Sequence, residues 1–324
     1  MMIRVLLITN KTDVTTDFVV RRLKENDIAF YRLNTEDLGS NVEVDFDFCN
    51  DNFRILDRTT ELEIDLLAVK SVYFRRPELP EDNPELSKAE NHFIRNEISY
   101  TLEGIYKILG SAYWLNNVSH IRNAENKIDQ LRLAKSLGFS IAPSLITTNT
   151  NSATSFFKAN EEECIIKPIR TGLVSDDESE EGIIFTNKVY LDHINVQRVR
   201  CCPTFFQEHI KKKGDLRITV VGDNVFAALI HSQDSEDSKV DWRFSQNGLK
   251  HSIYTLPVEI STKCINLVKF LNLNFGAIDL ILNEYGEYVF LEINPNGQWA
   301  WIEKLLDFNI SGAIVNLLKS KIDE

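Results

Sequence analysis

The chain has 324 residues, of which 43% are hydrophobic and 26% charged. That is enough to bury a core in two or three domains, and too apolar for disorder to dominate. A formal net charge of −12 excludes general nucleic-acid binding, which needs a basic surface. No stretch approaches a membrane span, and five cysteines without metal-ligand spacing read as reduced thiols of a cytoplasmic protein.

Residues 1 to about 120 read as a small α/β domain. The opening apolar run is too short for a signal peptide, and Ile3 to Thr9 reads as a strand buried on both faces. Phe18, Val19, Arg22 and Leu23 fall at helical spacing within a helix from Asp13 to Asn26, and Ala29 to Leu33 is the next strand. No glycine fingerprint joins strand to helix, which disfavours a dinucleotide site. Val42 to Phe48 and Phe53 to Leu56 alternate and predict an antiparallel hairpin added to this sheet. A strand over Val69 to Phe74 runs into Arg75-Arg76-Pro77, and a long helix spans about Glu85 to Leu109. The arginine pair is either a solvated strand terminus or a clamp for phosphate or carboxylate, because ligands bind at strand C-termini in open α/β sheets.

From 121 to 205 the pattern changes. A helix is expected from Ala124 through Lys127 to Leu137, with Gly138 as its stop. Another short helix precedes a strand ending Cys164-Ile-Ile-Lys167-Pro168. An acidic loop from Ser175 to Gly182 then leads to a strand over Ile183 to Thr186. A glycine-flanked loop between two strands suits a lid, with the backbone near Gly172 approaching a nucleotide.

The last third, 206–324, carries Gln207-Glu208-His209-Ile210, then Asp215-Leu-Arg217, whose two-residue spacing on a strand puts both side chains on one face. Asp241-Trp-Arg243 repeats the spacing; a structural ion pair is the plainer reading of each. Further on, Gly276 to Glu284 and Glu287 to Asn294 predict a hairpin closed by a two-residue turn at Tyr285-Gly286, which pairs Asp279 with Glu292. One face then collects Ile278, Leu280, Leu282, Val289, Leu291 and Ile293, the other Asp279, Glu292 and Asn294. Opposed carboxylates destabilise a sheet unless something cancels them. Three hard oxygen ligands on a rigid surface suit Mg²⁺, which takes a few carboxylates plus phosphate oxygens. A solvated acidic edge is the alternative, against which the Asn-Pro-Asn-Gly turn after Glu292 argues. No GxxxxGK[ST], HExxH or GxSxG occurs.

Taken together, Lys127 on a helix, Lys167-Pro168 after a strand, the lid, Gln207 to Ile210 and the Asp279, Glu292, Asn294 set resemble the ATP-grasp superfamily. The resemblance implies an α/β and α+β ATP-grasp fold with an N-terminal α/β pre-ATP-grasp domain over 1–120, a central lid subdomain over 121–205 and a C-terminal subdomain over 206–324 with the magnesium site. It further implies that Lys127 and Lys167 touch ATP phosphates. Glu208, His209 and Ile210 would meet the adenine edge largely through backbone groups after Gln207, and Asp215 would lie where ribose or substrate is held.

Arg75-Arg76-Pro77, Asp215-Leu-Arg217, Asp241-Trp-Arg243 and Glu292-Ile-Asn-Pro-Asn-Gly-Gln-Trp299, together with Thr9 to Asp13 and Arg32-Leu-Asn34, are more narrowly similar to the graspetide (microviridin-type) peptide maturases. That family joins acidic side chains of a ribosomal precursor peptide, a leader plus a core, to Ser/Thr hydroxyls or Lys amines, and its D-x-R motif recognises the acidic side chain. The resemblance implies catalytic roles for Asp215, Arg217 and Arg243, ATP and Mg²⁺ as cofactors, and a homodimer. The acidic lid departs from the family pattern. An ATP-grasp carboxylate–amine ligase adding an amino acid to a peptide or small acid is the alternative within the fold, and a silent nucleotide-binding protein the alternative outside catalysis.

Overall fold

In the computed structural model, residues 2–161, 163–170, 172–174, 182–192, 195–245 and 248–322 are described. The chain divides into two units: Met1–Ile121 with Asn272–Phe275 and Asn296–Glu324, and Arg122–Leu271 with Gly276–Pro295.

The first unit is built on a parallel four-stranded sheet in the order Phe30–Asn34, Val5–Thr9, Ser71–Phe74, Tyr113–Trp114. Its central strand is buried at every position, as its unbroken apolar run requires. Helix Val14–Glu25 starts where the Asp13 carboxylate accepts from the Thr15 amide, and helix Lys88–Ile108 starts at a reciprocal Ser87–Glu90 capping box. The box places that start three residues after the expected Glu85. Two C-terminal helices, Ala300–Leu306 and Ile310–Ser320, belong to this unit, the latter joined to the sheet by Ser71 Oγ donating to the Leu318 carbonyl at 2.7 Å.

The hairpin expected to extend this sheet does not. Val42–Asp47 and Asn52–Asp57 join a third strand, Leu62–Asp65, in a separate antiparallel sheet. Alternating strands have one apolar face, whereas an extension of the central sheet would be covered on both. Ile55 and Ile64 instead enter the core beside Leu33 and Leu66.

The second unit holds two larger sheets. One has the order Asn187–Tyr190, Glu163–Lys167, Thr204–Gln207, Ser144–Thr147, all antiparallel, with Phe157 of helix Thr150–Ala159 set edge-on against Phe206. The other has the order His251–Ile253, Asn224–Ile230, Lys212–Val221, Phe275–Asn283, Tyr288–Asn294, Ser140–Ile141. The helix expected from Ala124 to Leu137 is Lys127–Ser136, started by Asn126, which caps it through the Ile128 and Asp129 amides, and a separate helix, Val118–Ala124, ends just before it. The strand expected over Ile183 to Thr186 is the short Gly182–Ile183; the acidic stretch 175–181 of the expected lid lies outside the described residues.

The hairpin of Phe275–Asn283 and Tyr288–Asn294 corrects a second expectation. Asn283 pairs with Glu287 around a three-residue turn in which Gly286 takes φ +86°, and Leu280 pairs with Phe290. Both pairings lie one residue away from the expected register. A bulge between Asp279 and Leu280 restores it, so Asp279 stands opposite Glu292. The faces change accordingly. Phe290 joins Ile278 and Leu280 in the core, while Val289 and Leu291 join Ile281, Ala142 and Ile210 in an apolar patch.

Candidate active site

Three neighbouring strands of one sheet, the end of a strand of the other sheet, one helix and a 3-10 turn of the second unit carry the charged groups. Arg217, from the middle of Lys212–Val221, donates from Nη1 to Asp279 Oδ2 at 3.1 Å. Opposite Asp279, Glu292 receives the Lys127 ammonium at 3.1 Å, and Lys127 Nζ also reaches the Pro168 carbonyl at 3.4 Å. Lys127 is the first residue of its helix, so the Asn126 cap fixes where its stem begins. Lys167, at the end of Glu163–Lys167, donates to Gln207 Oε1 at 3.0 Å and lies over the Phe205 ring at 4.7 Å. Asn294 follows Glu292 on the same face, opposite Ala277.

The two opposed carboxylates differ in environment. Burial drives the Asp279 pKa up, only partly offset by Arg217 and reinforced by Glu292. Burial would also raise Glu292, but Lys127 and Lys167 outweigh it and leave its pKa below the usual carboxylate range. Burial lowers the Lys167 pKa to about 8, against the pull of Glu292. The like-charge conflict is therefore eased by cations on both sides and is left unresolved at Asp279 Oδ1, which is buried without a hydrogen-bond partner. Among the described residues no three His, Cys, Asp or Glu side chains cluster as a metal site. Two carboxylates and an amide oxygen remain, a hard set that suits a divalent cation completed by phosphate oxygens.

Arg243 is held by its own acid. Its Nε and Nη2 donate to Asp241 at 2.8 and 2.6 Å, from a short 3-10 turn rather than from a strand face. That paired hydrogen bond raises the Arg243 pKa above its ordinary value, and the charge also feels Glu292 and Asp279. Trp242, between them, places its ring 5.9 Å from the Arg217 guanidinium carbon. Asp215 is buried with both oxygens on Lys212 Nζ, at 2.7 and 2.9 Å. Its carboxylate is thus occupied by a structural ion pair, and of the Asp215–Arg217 pair only Arg217 reaches the Asp279 group.

Of the segment 207–210, Gln207 is buried and braces Lys167, and its amide donates to Ser144 Oγ at 2.8 Å. The Glu208 amide donates to the Pro143 carbonyl, His209 Nδ1 meets Glu163 at 3.1 Å, and Ile210 joins the apolar patch. Ala142, Ile281 and Val289 form a small buried apolar cluster, with Ile210 and Leu291 packed against it, beside the strands that carry Asp279 and Glu292.

Two supporting residues had no sequence signal. Lys212 is one, hidden in a run of three lysines. Gln130 is the other. Its amide donates to the Ile293 carbonyl at 2.8 Å and accepts from the Ile293 amide at 3.1 Å. It thereby completes the backbone pairing next to Glu292, where the short neighbouring strand Ser140–Ile141 has already ended.

Residues 4–122 match the MvdD pre-ATP grasp domain and residues 188–318 the RimK-like ATP-grasp domain. No curated protein matches the chain. Among solved structures, a RiPP-associated ATP-grasp ligase from Chryseobacterium gregarium, in complex with ADP and a leader and core peptide, is 30% identical over 99% of this chain and 97% of that one, with a TM-score of 0.91. The macrocyclase MdnB from Microcystis aeruginosa is 33% identical over 98% and 99%, TM-score 0.79. MdnC from the same organism, bound with precursor peptide MdnA, is 28% identical over 98% and 100%, TM-score 0.86. The chain is therefore an ATP-grasp ligase and belongs to the family of RiPP-associated ATP-grasp ligases that includes the microviridin-type macrocyclases.

Proposed function

We propose that this enzyme activates acidic side chains of a ribosomal precursor peptide and joins them to Ser/Thr hydroxyls or Lys amines of the same peptide. The observation that carries this is the cation set around Asp279 and Glu292. Lys127, Lys167, Arg217 and Arg243 are each pinned by a partner, and together they suit one phosphate chain and one carboxylate. A carboxylate oxygen of the peptide attacks the γ-phosphorus of ATP, ADP leaves, and an acyl phosphate results. The peptide hydroxyl or amine then attacks the acyl carbon, giving up its proton, and inorganic phosphate leaves with its former P–O–C oxygen. The protein's part is to position and to neutralise charge.

Lys127 and Lys167 hold the phosphates. Arg217 and Arg243 hold the carboxylate, which planar forks do better than ammonium groups. Residues 208–210 seat the adenine, and Asp215 acts indirectly, by fixing the strand that bears Arg217. Asp279, Glu292 and Asn294 would hold magnesium, which supplies charge neutralisation on the phosphates. The three-part division at 120 and 205, a homodimer and a cytoplasmic location complete the proposal. Incubation with ATP and a Ser/Thr- and Asp/Glu-rich precursor tests it: one water lost from the peptide per crosslink is expected, whereas a gain of one residue's mass means intermolecular ligation and contradicts it.

A further inference from the structure

We propose that the C-terminal edge of the parallel sheet in the first unit is a second carboxylate-binding site, with Arg76 as its cation, which takes a non-reacting acidic side chain of the peptide. This rests on the peptide reading above for its ligand.

Strand Val5–Thr9 continues to a neighbour on one side, Phe30–Asn34, and the chain then crosses to Ser71–Phe74 on the other. That reversal is the switch point of the sheet, where ligands of open α/β sheets bind beyond the strand C-termini, and four cations collect at the C-terminal ends of these strands. Three are matched by acids. Lys11 Nζ lies 2.6 Å from Asp37, Arg32 pairs with Asp17, and Arg75 lies 3.1 Å from Asp13. Arg75 is consumed internally, since its Nη1 also donates to the carbonyls of Asn296 and Gly297 at 2.8 and 3.0 Å. Its Nη2 is nevertheless buried without a partner.

Arg76 is different. Among the described residues its guanidinium has no ion-pair or hydrogen-bond partner, although its side chain is accessible. Its backbone is held in the left-handed region at φ +45°, where an arginine is strained. The Asn10 amide fixes that conformation by donating to the Arg76 carbonyl at 2.6 Å. Surrounding protein and the adjacent Arg75 lower the Arg76 pKa, with Asp13 opposing them. Two arginines thus share one carboxylate already engaged, and an external oxyanion relieves the imbalance.

A peptide carboxylate and a nucleotide phosphate share this chemistry, so the test uses both. The probes are a capped tetraglutamate peptide, its tetraglutamine counterpart and ADP, titrated calorimetrically into wild type, Arg76→Lys, Arg76→Gly and Arg217→Ala. Glycine removes the cation while relaxing the positive φ, so folding is preserved. The expected result is about a tenfold loss of tetraglutamate affinity in Arg76→Gly, the size of one charge-assisted hydrogen bond. Partial rescue by lysine, an ADP affinity within about twofold of wild type and no such loss with tetraglutamine are also expected. Tetraglutamate binding unchanged in Arg76→Gly, no binding by wild type, or a loss confined to ADP overturns the proposal. Loss in Arg76→Gly with Arg217→Ala unaffected would uphold this site while counting against Arg217 as the carboxylate anchor.

Discussion

At the level of single residues, the opposed carboxylates make unequal demands, and their variants should separate function from stability. Asp279 has a raised folded pKa. Its ionised form is disfavoured by folding, and stability falls as pH rises from the unfolded value through the folded one. Asp279→Asn should therefore hold or raise the melting temperature of the nucleotide-free protein while cutting ATP-dependent turnover about a hundredfold or more. Glu292 has a lowered folded pKa and an ion pair with Lys127, so its stabilisation is present above the unfolded pKa and is lost as pH falls through the folded one. Glu292→Gln should abolish turnover equally but lower the melting temperature. A rise in both variants would contradict this assignment of the charges. Lys167 supplies a pH test. Its folded pKa of about 8 lies below the ordinary lysine value, so the unfolded chain binds the extra proton and stability rises with pH across that window. ADP affinity should move the other way, weakening as pH rises through 8, with a shallower fall in Lys167→Arg, which stays charged. A pH-independent ADP affinity between pH 7 and 9.5 would remove Lys167 from the phosphate site.

On the scale of strands and helices, the expected pairing of Asp279 with Glu292 is found for a reason the sequence did not display. The turn is one residue longer than Tyr285-Gly286 implies, and the bulge at Leu291 returns the offset. Turn type and bulge position depend on neighbours outside the hairpin, which alternation alone does not encode. Apolar runs, the Asp13 and Asn126 caps and the Ser87–Glu90 box were legible because each is a local interaction. Lys212 on Asp215 and Gln130 on Ile293 were not, since the first lay in an ordinary lysine run and the second spans 163 positions. Gln130 gives a prediction at this scale. Gln130→Ala leaves the Ile293 amide and carbonyl without their side-chain partner, at a cost of about 2–3 kcal/mol, and loosens the strand bearing Glu292. Chemical denaturation should show the loss, and the KM for ATP should rise. Unchanged stability would show that water or a neighbour replaces the amide.

For the molecule as a whole, helices 300–306 and 310–320 return to the first unit, an assignment that periodicity cannot make because it carries no tertiary address. The same return lets Arg75 hold the carbonyls of Asn296 and Gly297, directly after Asn294 and Pro295 in the chain. The sequence left Arg75-Arg76 open between a terminus and a clamp, and the structure separates the two: one arginine is internal and the other accessible. If the whole molecule is an ATP-driven peptide ligase, nucleotide consumption and peptide dehydration must rise and fall together. The direct test is mass spectrometry of precursor peptide treated with ATP by wild type, Arg217→Ala and Glu292→Gln. Wild type should remove one water per crosslink with one ADP formed each time. Arg217→Ala should still bind ADP but dehydrate peptide about a hundredfold more slowly or worse, and Glu292→Gln should do neither reaction. Dehydration at wild-type rate in either variant, or ATP consumption that adds a residue's mass to the peptide, would contradict the account.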